Sequence, residues 1–159
     1  MLLDSGLPGK MRSVEWLRNY IREEGIDAKI IEVTKASTVK EAAEELECSK
    51  RQIIKSIVLV AENEAVIAIV DGTSSVDLKR VEKLVGKGVR VAGREEVLNL
   101  TGFPAGGVPP VGHNCKVILD ERALKNERVY GGGGDENHLL SISPSEIERD
   151  GAIVARIRK

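Results

Sequence analysis

A single lysine interrupts the apolar run Ile53-Ile54-Lys55-Ser56-Ile57-Val58-Leu59-Val60. If the run is a strand, alternation places Lys55 on the face of Ile53, Ile57 and Leu59. An ammonium among such neighbours costs stability unless it finds a partner or reaches water. Two readings are open. Either the stem packs and the head reaches solvent, as in many strand-end lysines, or the charge stands at the mouth of a pocket. There it would hold an anion or polarise a carbonyl.

A second chemical candidate is TGFPAGGVPPVGH, Thr101 to His113, in which seven of thirteen residues are Gly or Pro. Gly106-Gly107 opens backbone angles closed to other residues, and Pro109-Pro110 stiffens the chain just beyond. The plain reading is a turn. The functional reading is a stiff loop that aims amide N–H groups at one point, an anion or oxyanion site without charged side chains. Gly131 to Gly134 forms another glycine cluster. It reads as a flexible hairpin loop, or as backbone on which one glycine, Gly134, lets a ligand approach closely.

Several chemistries lack their motifs. There is no G-x-x-x-x-G-K-[ST], no G-x-G-x-x-G between a strand and a helix, and no G-x-S-x-G elbow. Neither His113 nor His138 sits in a nucleophile–base motif, although a triad assembled in space stays open. His113 is also read as structural, where the loop rejoins a strand. Cys48 and Cys115 are too far apart for a CxxC pair and read as free thiols. His113, Cys115 and His138 are a poor set of metal ligands at that spacing. No metal and no cofactor is expected.

The elements that position these residues emerge from periodicity and capping. Met11, Val14, Leu17 and Ile21 predict a helix over about 10–24, ended by Gly25. Ala28 to Val33 reads as a strand. Thr38 and Glu41 form a capping box for the next helix. The strands around Lys55 and at Glu64 to Val70 are continuously apolar, as strands buried on both faces are. Helices are expected at Val76 to Gly86 and Glu95 to Leu100, and short strands at Val89 to Val91 and Lys116 to Asp120. Strands at Arg128 to Tyr130 and His138 to Ile142, a helix after Ser143-Pro144, and a strand at Ala152 to Ile157 complete the chain. The strands come in groups rather than in strict alternation with helices. That predicts a mixed α/β domain whose mixed or antiparallel sheet curls into a barrel.

The bulk composition sets the class. With 159 residues, 42% hydrophobic and 31% charged, the chain suits one globular domain over 1–159, with residues 1–27 supplying a helix on the core. A net charge of −1 gives no global attraction to nucleic acid, so a polyanion must be met by a local patch. Basic residues group at Lys50-Arg51, at Lys79, Arg80, Lys83 and Lys87, and at Arg156, Arg158 and Lys159. Aromatic residues are too few for a base-stacking platform. No leader or membrane-spanning run is read, which predicts a cytoplasmic protein.

Three segments together, TVKEAAEELECSKRQIIKSIVLV, GFPAGGVPPVGH and GGGGDENHLLSISPSEI, resemble the YbaK/prolyl-tRNA synthetase-associated domains, in order from about Thr34 to Ala155. The resemblance implies a barrel-like mixed sheet with flanking helices. It also implies an aminoacyl-tRNA deacylase that hydrolyses the ester of a mischarged tRNA. Lys55 matches the family's strand lysine, needed for activity. Gly106 and Pro110 match the ends of its G-x-x-x-P loop around the aminoacyl moiety, and Gly134 the glycine of its later loop. The cysteine-selective branch reads Gly-Gly-Cys-Ser-Pro where this chain has Gly106-Gly107-Val108-Pro109-Pro110, a departure from that branch's motif, and Ala, Ser, Thr and Cys all stay open as the amino acid removed.

On this expectation Lys55 and Gly106 act on the ester. Ser56, Gly107, Val108, Pro109, Pro110, Gly112, His113 and Gly134 surround the amino acid. Lys55 works as a cation or as a base, and no side-chain nucleophile is required. The expected partners are the aminoacyl-tRNA acceptor end, proline tRNA first, and a prolyl-tRNA synthetase, with no membrane. The alternatives are a non-catalytic tRNA- or synthetase-binding module and a protein acting on a small acylated metabolite.

Overall fold

The computed structural model describes residues 11–159. Helix α1 spans Val14–Glu24, with the Ser13 hydroxyl accepting from the Trp16 amide as N-cap and Gly25 closing it in the left-handed region. The expected start at Lys10 lies outside the described residues. Met11 precedes the helix and is exposed, so the buried stripe begins at Leu17 and Ile21.

Strand β1 (Ala28–Glu32) leads to α2 (Val39–Leu46), which opens with the complete Thr38–Glu41 capping box. After a single 3-10 turn, β2 (Ile54–Ala61) and β3 (Glu64–Asp71) form an antiparallel hairpin. Helix α3 (Leu78–Val85), capped by Asp77 and ended by Gly86, precedes β4 (Arg90–Val91) and α4 (Arg94–Thr101). The remaining elements are β5 (Lys116–Asp120), a 3-10 helix at Glu121–Lys125, β6 (Val129–Gly132), β7 (His138–Ile142), α5 (Pro144–Arg149) and β8 (Ile153–Ala155).

These strands make two open sheets, one of order β1-β7-β6 and one of order β4-β2-β3-β5-β8. The smaller is antiparallel throughout. The larger is mixed, because β5 runs parallel to both β3 and β8. Every residue of β3 after Glu64 is buried, as its unbroken apolar run requires. Ile67 and Ile69 enter the main core with α1, α4, α5 and the inner face of the smaller sheet. Val66, Ala68 and Val70 face the other way, under Val81 of α3. A third cluster packs Ala42 and Ala43 of α2 on Ile53 and Leu139.

The mixed α/β class stands, but the barrel does not: neither sheet closes on itself. Besides packing face to face in the core, the two sheets are joined among the described residues by an isolated backbone bridge, Ile53 to Tyr130, where β6 comes beside the start of β2. Past that bridge the Gly107–Val108 backbone sits against Gly132, within contact of where a Cβ would be. The loop thus occupies the seam along which closure would have to run. The last strand is also shorter than its apolar pattern, since Ile157 is buried by turning into a separate bridge region beside Val76 and Arg158. Asp120, fully buried, secures that turn by accepting from the Ile157 and Arg158 amides and pairing with the Arg158 guanidinium at 2.9 Å.

Candidate active site

The open seam between β2 and β6 holds a cavity of about 300 Å³. Its walls are the entry to α2 (Ser37, Thr38), the start of β2 (Lys55, Ser56), the loop residues Gly106 and Val108, and Tyr130 to Gly132 of β6. Strand pairing explains the β2 contribution. Ile54 and Val58 point into the main core, while Ile57 and Leu59 belong to the cluster under α3. Lys55 lies on that second face, at the strand's open end, and is partly buried. Ile53, expected on the same face, precedes the strand and packs under α2 instead.

Two polar groups stand out. Among the described residues no carboxylate lies within ion-pair distance of Lys55 and no hydrogen bond holds its ammonium. The Ser56 hydroxyl oxygen is buried with no hydrogen-bond partner. A buried hydroxyl without a partner costs about 1–3 kcal/mol, and this one borders the cavity, where a bound group would meet it. Ser56→Ala is therefore expected to hold or raise the melting temperature while slowing turnover about tenfold. A variant that unfolds earlier and keeps full activity would contradict this.

The loop divides into a wall and a foundation. Gly106, exposed and at φ +92, faces the cavity across from Ser37. Val108 also lines it. The Gly107 amide donates to the Pro104 carbonyl at 2.9 Å, and its own carbonyl accepts from the Gly134 amide at 2.9 Å. Gly107, Pro109, Pro110, Gly112 and His113 are buried behind the lining residues. Gly134 also lies behind, packed against Val14 of α1. The Arg12 guanidinium donates to the Gly112 carbonyl at 2.7 Å and lies over the Trp16 ring, so α1 and its leading turn brace the loop from below.

His113 serves this foundation. The Cys115 amide donates to its Nδ1 at 3.0 Å, leaving the Nε2 proton for the Pro110 carbonyl at 3.3 Å. Burial is the main cause that pushes its pKa down to about 4. The unfolded chain then binds a proton that the folded one refuses between pH 6.5 and about 4. This contribution to stability is present above pH 6.5 and lost as pH falls toward 4, worth about 3 kcal/mol in full. Melting temperatures across this window are expected to fall in the wild type and to stay flatter in His113→Gln.

The lining residues contain no Asp, Glu, His or Cys. Glu41, nearest in sequence, accepts from the Ser37 amide and hydroxyl and the Thr38 amide to close the α2 cap. His138 faces Asp135 at 2.7 Å. No serine therefore has a histidine beside it, and the triad left open by the sequence does not assemble among the described residues. The chemistry available here is that of one cation, hydroxyl groups and backbone amides. It can bind and polarise an ester or another anion-forming carbonyl. Ser37, Thr38, Tyr130, Gly131 and Gly132 also line the site; no sequence signal singles out Ser37 or Tyr130, and Gly131 and Gly132 stand out only as members of the Gly131–Gly134 cluster. Thr38 reads in sequence only as a cap, and of the glycine cluster Gly131 and Gly132 line the cavity while Gly134 does not.

Residues 33–149 match the family model described as aminoacyl-tRNA editing domain. "Uncharacterized protein YwhH" of Bacillus subtilis is 33% identical over 117 residues, covering 72% of this chain and 74% of that protein. Proline–tRNA ligase of Geotalea daltonii is 28% identical over 120 residues, 74% of this chain but 21% of the ligase. That of Solidesulfovibrio magneticus is 33% identical over 121 residues, again 74% of this chain and 20% of the ligase. The chain thus spans about a fifth of the length of these ligases. The crystal structure of "a putative trans-editing enzyme for prolyl tRNA synthetase" superposes with a TM-score of 0.85 at 36% identity, covering 92% of this chain and 96% of that one. Among the described residues no helix is long and apolar enough to cross a membrane.

Proposed function

The chain belongs to the aminoacyl-tRNA editing domain family, and on that premise we propose that it is a deacylase that removes a small amino acid from mischarged tRNA, proline tRNA first. The observation that carries this reading is the pairing of an uncompensated Lys55 with an unmet Ser56 hydroxyl in a small cavity walled largely by backbone and apolar side chains. Such a cavity of about 300 Å³ admits a small aminoacyl group and turns away bulk by the fixed positions of Gly106, Val108 and Gly132.

A second sieve of this kind answers a physical limit. One methylene gives a synthetase pocket only about 1–3 kcal/mol of discrimination, so smaller amino acids are charged in error. Hydrolysis of the ester passes through a tetrahedral oxyanion, to which a well-aimed donor is worth roughly 3–4 kcal/mol. The amides of Gly106 and Val108 have no acceptor among the described residues and border the cavity beside Lys55. The lysine cation and these amides stabilise the developing charge, water is the nucleophile, and Ser56 orients the amino group or the water. No step draws on a cofactor. The protein works in the cytoplasm, with a prolyl-tRNA synthetase as the source of mischarged tRNA.

The test is single-turnover deacylation by purified protein of Ala-, Ser-, Thr-, Cys- and Pro-tRNA. Rapid loss of at least one small aminoacyl ester, with Pro-tRNA spared, is the expected result. Survival of every ester would reject the enzyme and leave a binding module.

A further inference from the structure

Beyond the aminoacyl cavity, Lys55 also lines a second and larger one of about 490 Å³ on the α3 side of β2. Ile57, Val76 and the exposed Val91 give it an apolar floor, and Lys79 and Lys159 stand on its rim. A shallow shelf continues from it along α3, sharing Asp77 and Lys79 and adding Arg80, Lys83 and Arg156. Two basic groups distant in sequence meet here. The Asp77 amide donates to the Ile157 carbonyl and the Lys159 amide to the Ser75 carbonyl, which lays the C-terminal segment along the start of α3.

The charge of this face is not compensated locally. Among the described residues, Lys79, Lys83, Arg156 and Lys159 have no ion pair, and all four are exposed. Asp77 is engaged by the Lys79 and Arg80 amides and the Arg80 guanidinium. Glu82 accepts from the Val89 amide. By contrast Lys87 pairs with Glu62 and Glu64, and Arg158 with Asp120, so neither joins the patch. In a chain of net charge −1, a polyanion can be met only by a local patch of this kind.

We propose that this surface holds the single-stranded 3′ end of an RNA. The terminal nucleoside sits on the apolar floor beside Lys55, and the preceding backbone phosphates lie along Lys79, Lys83 and Arg156. The inference rests on the deacylase reading for its direction. An ester centred at Lys55 joins an amino acid in the first cavity to a ribose that must lie on the other side, and the second cavity begins there. Contact is to phosphate and apolar base surface, so the patch binds without reading sequence.

The probe is an uncharged RNA hairpin with a tRNA-like acceptor stem ending in a single-stranded CCA, labelled at its 5′ end and followed by fluorescence anisotropy across a salt series. The triple variant Lys79→Gln, Lys83→Gln, Arg156→Gln is compared with an equal charge change elsewhere, Lys29→Gln, Lys116→Gln, Lys125→Gln, and both are checked by thermal melting. The patch variant is expected to bind at least about tenfold more weakly, with the slope of log affinity against log salt reduced by about 2. The control variant should bind as the wild type does, and a blunt hairpin should bind the wild type less well. Equal losses in both triples, or a patch variant that binds normally, would overturn the proposal even with deacylation intact. Because the probe carries no ester, loss of binding in the patch variant alone would support it even if every ester survived. If the patch variant instead kept RNA and lost only association with a synthetase, the surface would be a protein interface and the proposal would fall.

Discussion

Lys55→Met is expected to slow ester hydrolysis by about 10²- to 10³-fold and to leave the fold intact. The rate loss is what removal of a single donor or cation from an oxyanion site produces. The intact fold is expected from what Lys55 lacks. No carboxylate pairs with it among the described residues, so its removal strands no buried counter-charge, which is the usual reason that loss of a charge destabilises. Methionine keeps the length of the stem against Ile57 and deletes only the ammonium. Lys55→Arg separates the two roles the lysine could play. A cation that only polarises should be partly replaced by guanidinium, whereas a base should not. Single-turnover rates beside thermal melts make the test. A Lys55→Met protein that deacylates at the wild-type rate would remove the lysine from the mechanism and the main support for it.

Gly132→Ala is expected to cost about 3 kcal/mol or more of stability, lowering the melting temperature by about 10 °C, and to abolish turnover. A Cβ at this position would lie 2.3 Å from the Val108 carbonyl oxygen and 2.8 Å from its carbon. Both are backbone atoms, so no side chain can swing away. Either β6 or the Gly107–Val108 loop must move, and both are walls of the site. Gly106→Ala is the contrast. Its added methyl meets nothing nearer than the Ser37 Cβ at 4.0 Å, but the residue holds φ +92. The cost there is backbone strain of about 1–2 kcal/mol, with the methyl projecting into the cavity. A melt that ranked Gly106→Ala below Gly132→Ala would show that the loop and strand pack less closely than these distances require.

Much of the molecule is readable from neighbouring residues. The Thr38–Glu41 box and the terminal Gly25 and Gly86 are settled within one turn of chain, and each occurs where its pattern predicts, whereas Asp77, expected inside the helix Val76 to Gly86, stands ahead of α3 as its N-cap. The apolar runs place β2 and β3 for the same reason, since alternation and burial are properties of a strand's own sequence. Lys55 is conspicuous because a cation amid β-branched residues violates that pattern. The family resemblance carried by three separated segments agrees with the editing-domain match over residues 33–149.

The division of labour inside the glycine-rich segments is not readable. Gly106, Gly107, Gly112, Gly131, Gly132 and Gly134 look alike as letters, yet three line the cavity and three lie behind it. What separates them is contact with Ser37, Asp135, α1, Ile54 and Val108, all distant along the chain. His113 likewise resembles a site residue in sequence, and only its bonds to Pro110 and Cys115 show the ring bracing the loop.

Interactions within a few residues are enough for most of the elements, the Thr38 capping box, the mixed α/β class and the lysine worth testing. The tertiary structure alone decided that the sheets stay open, that the cavity occupies the seam, and that Lys79, Lys83, Arg156 and Lys159 share one face. Those outcomes depend on where β2 meets β6 and where the C-terminal segment meets α3. Such meetings join residues that no local pattern couples, and the packing of the whole core selects them.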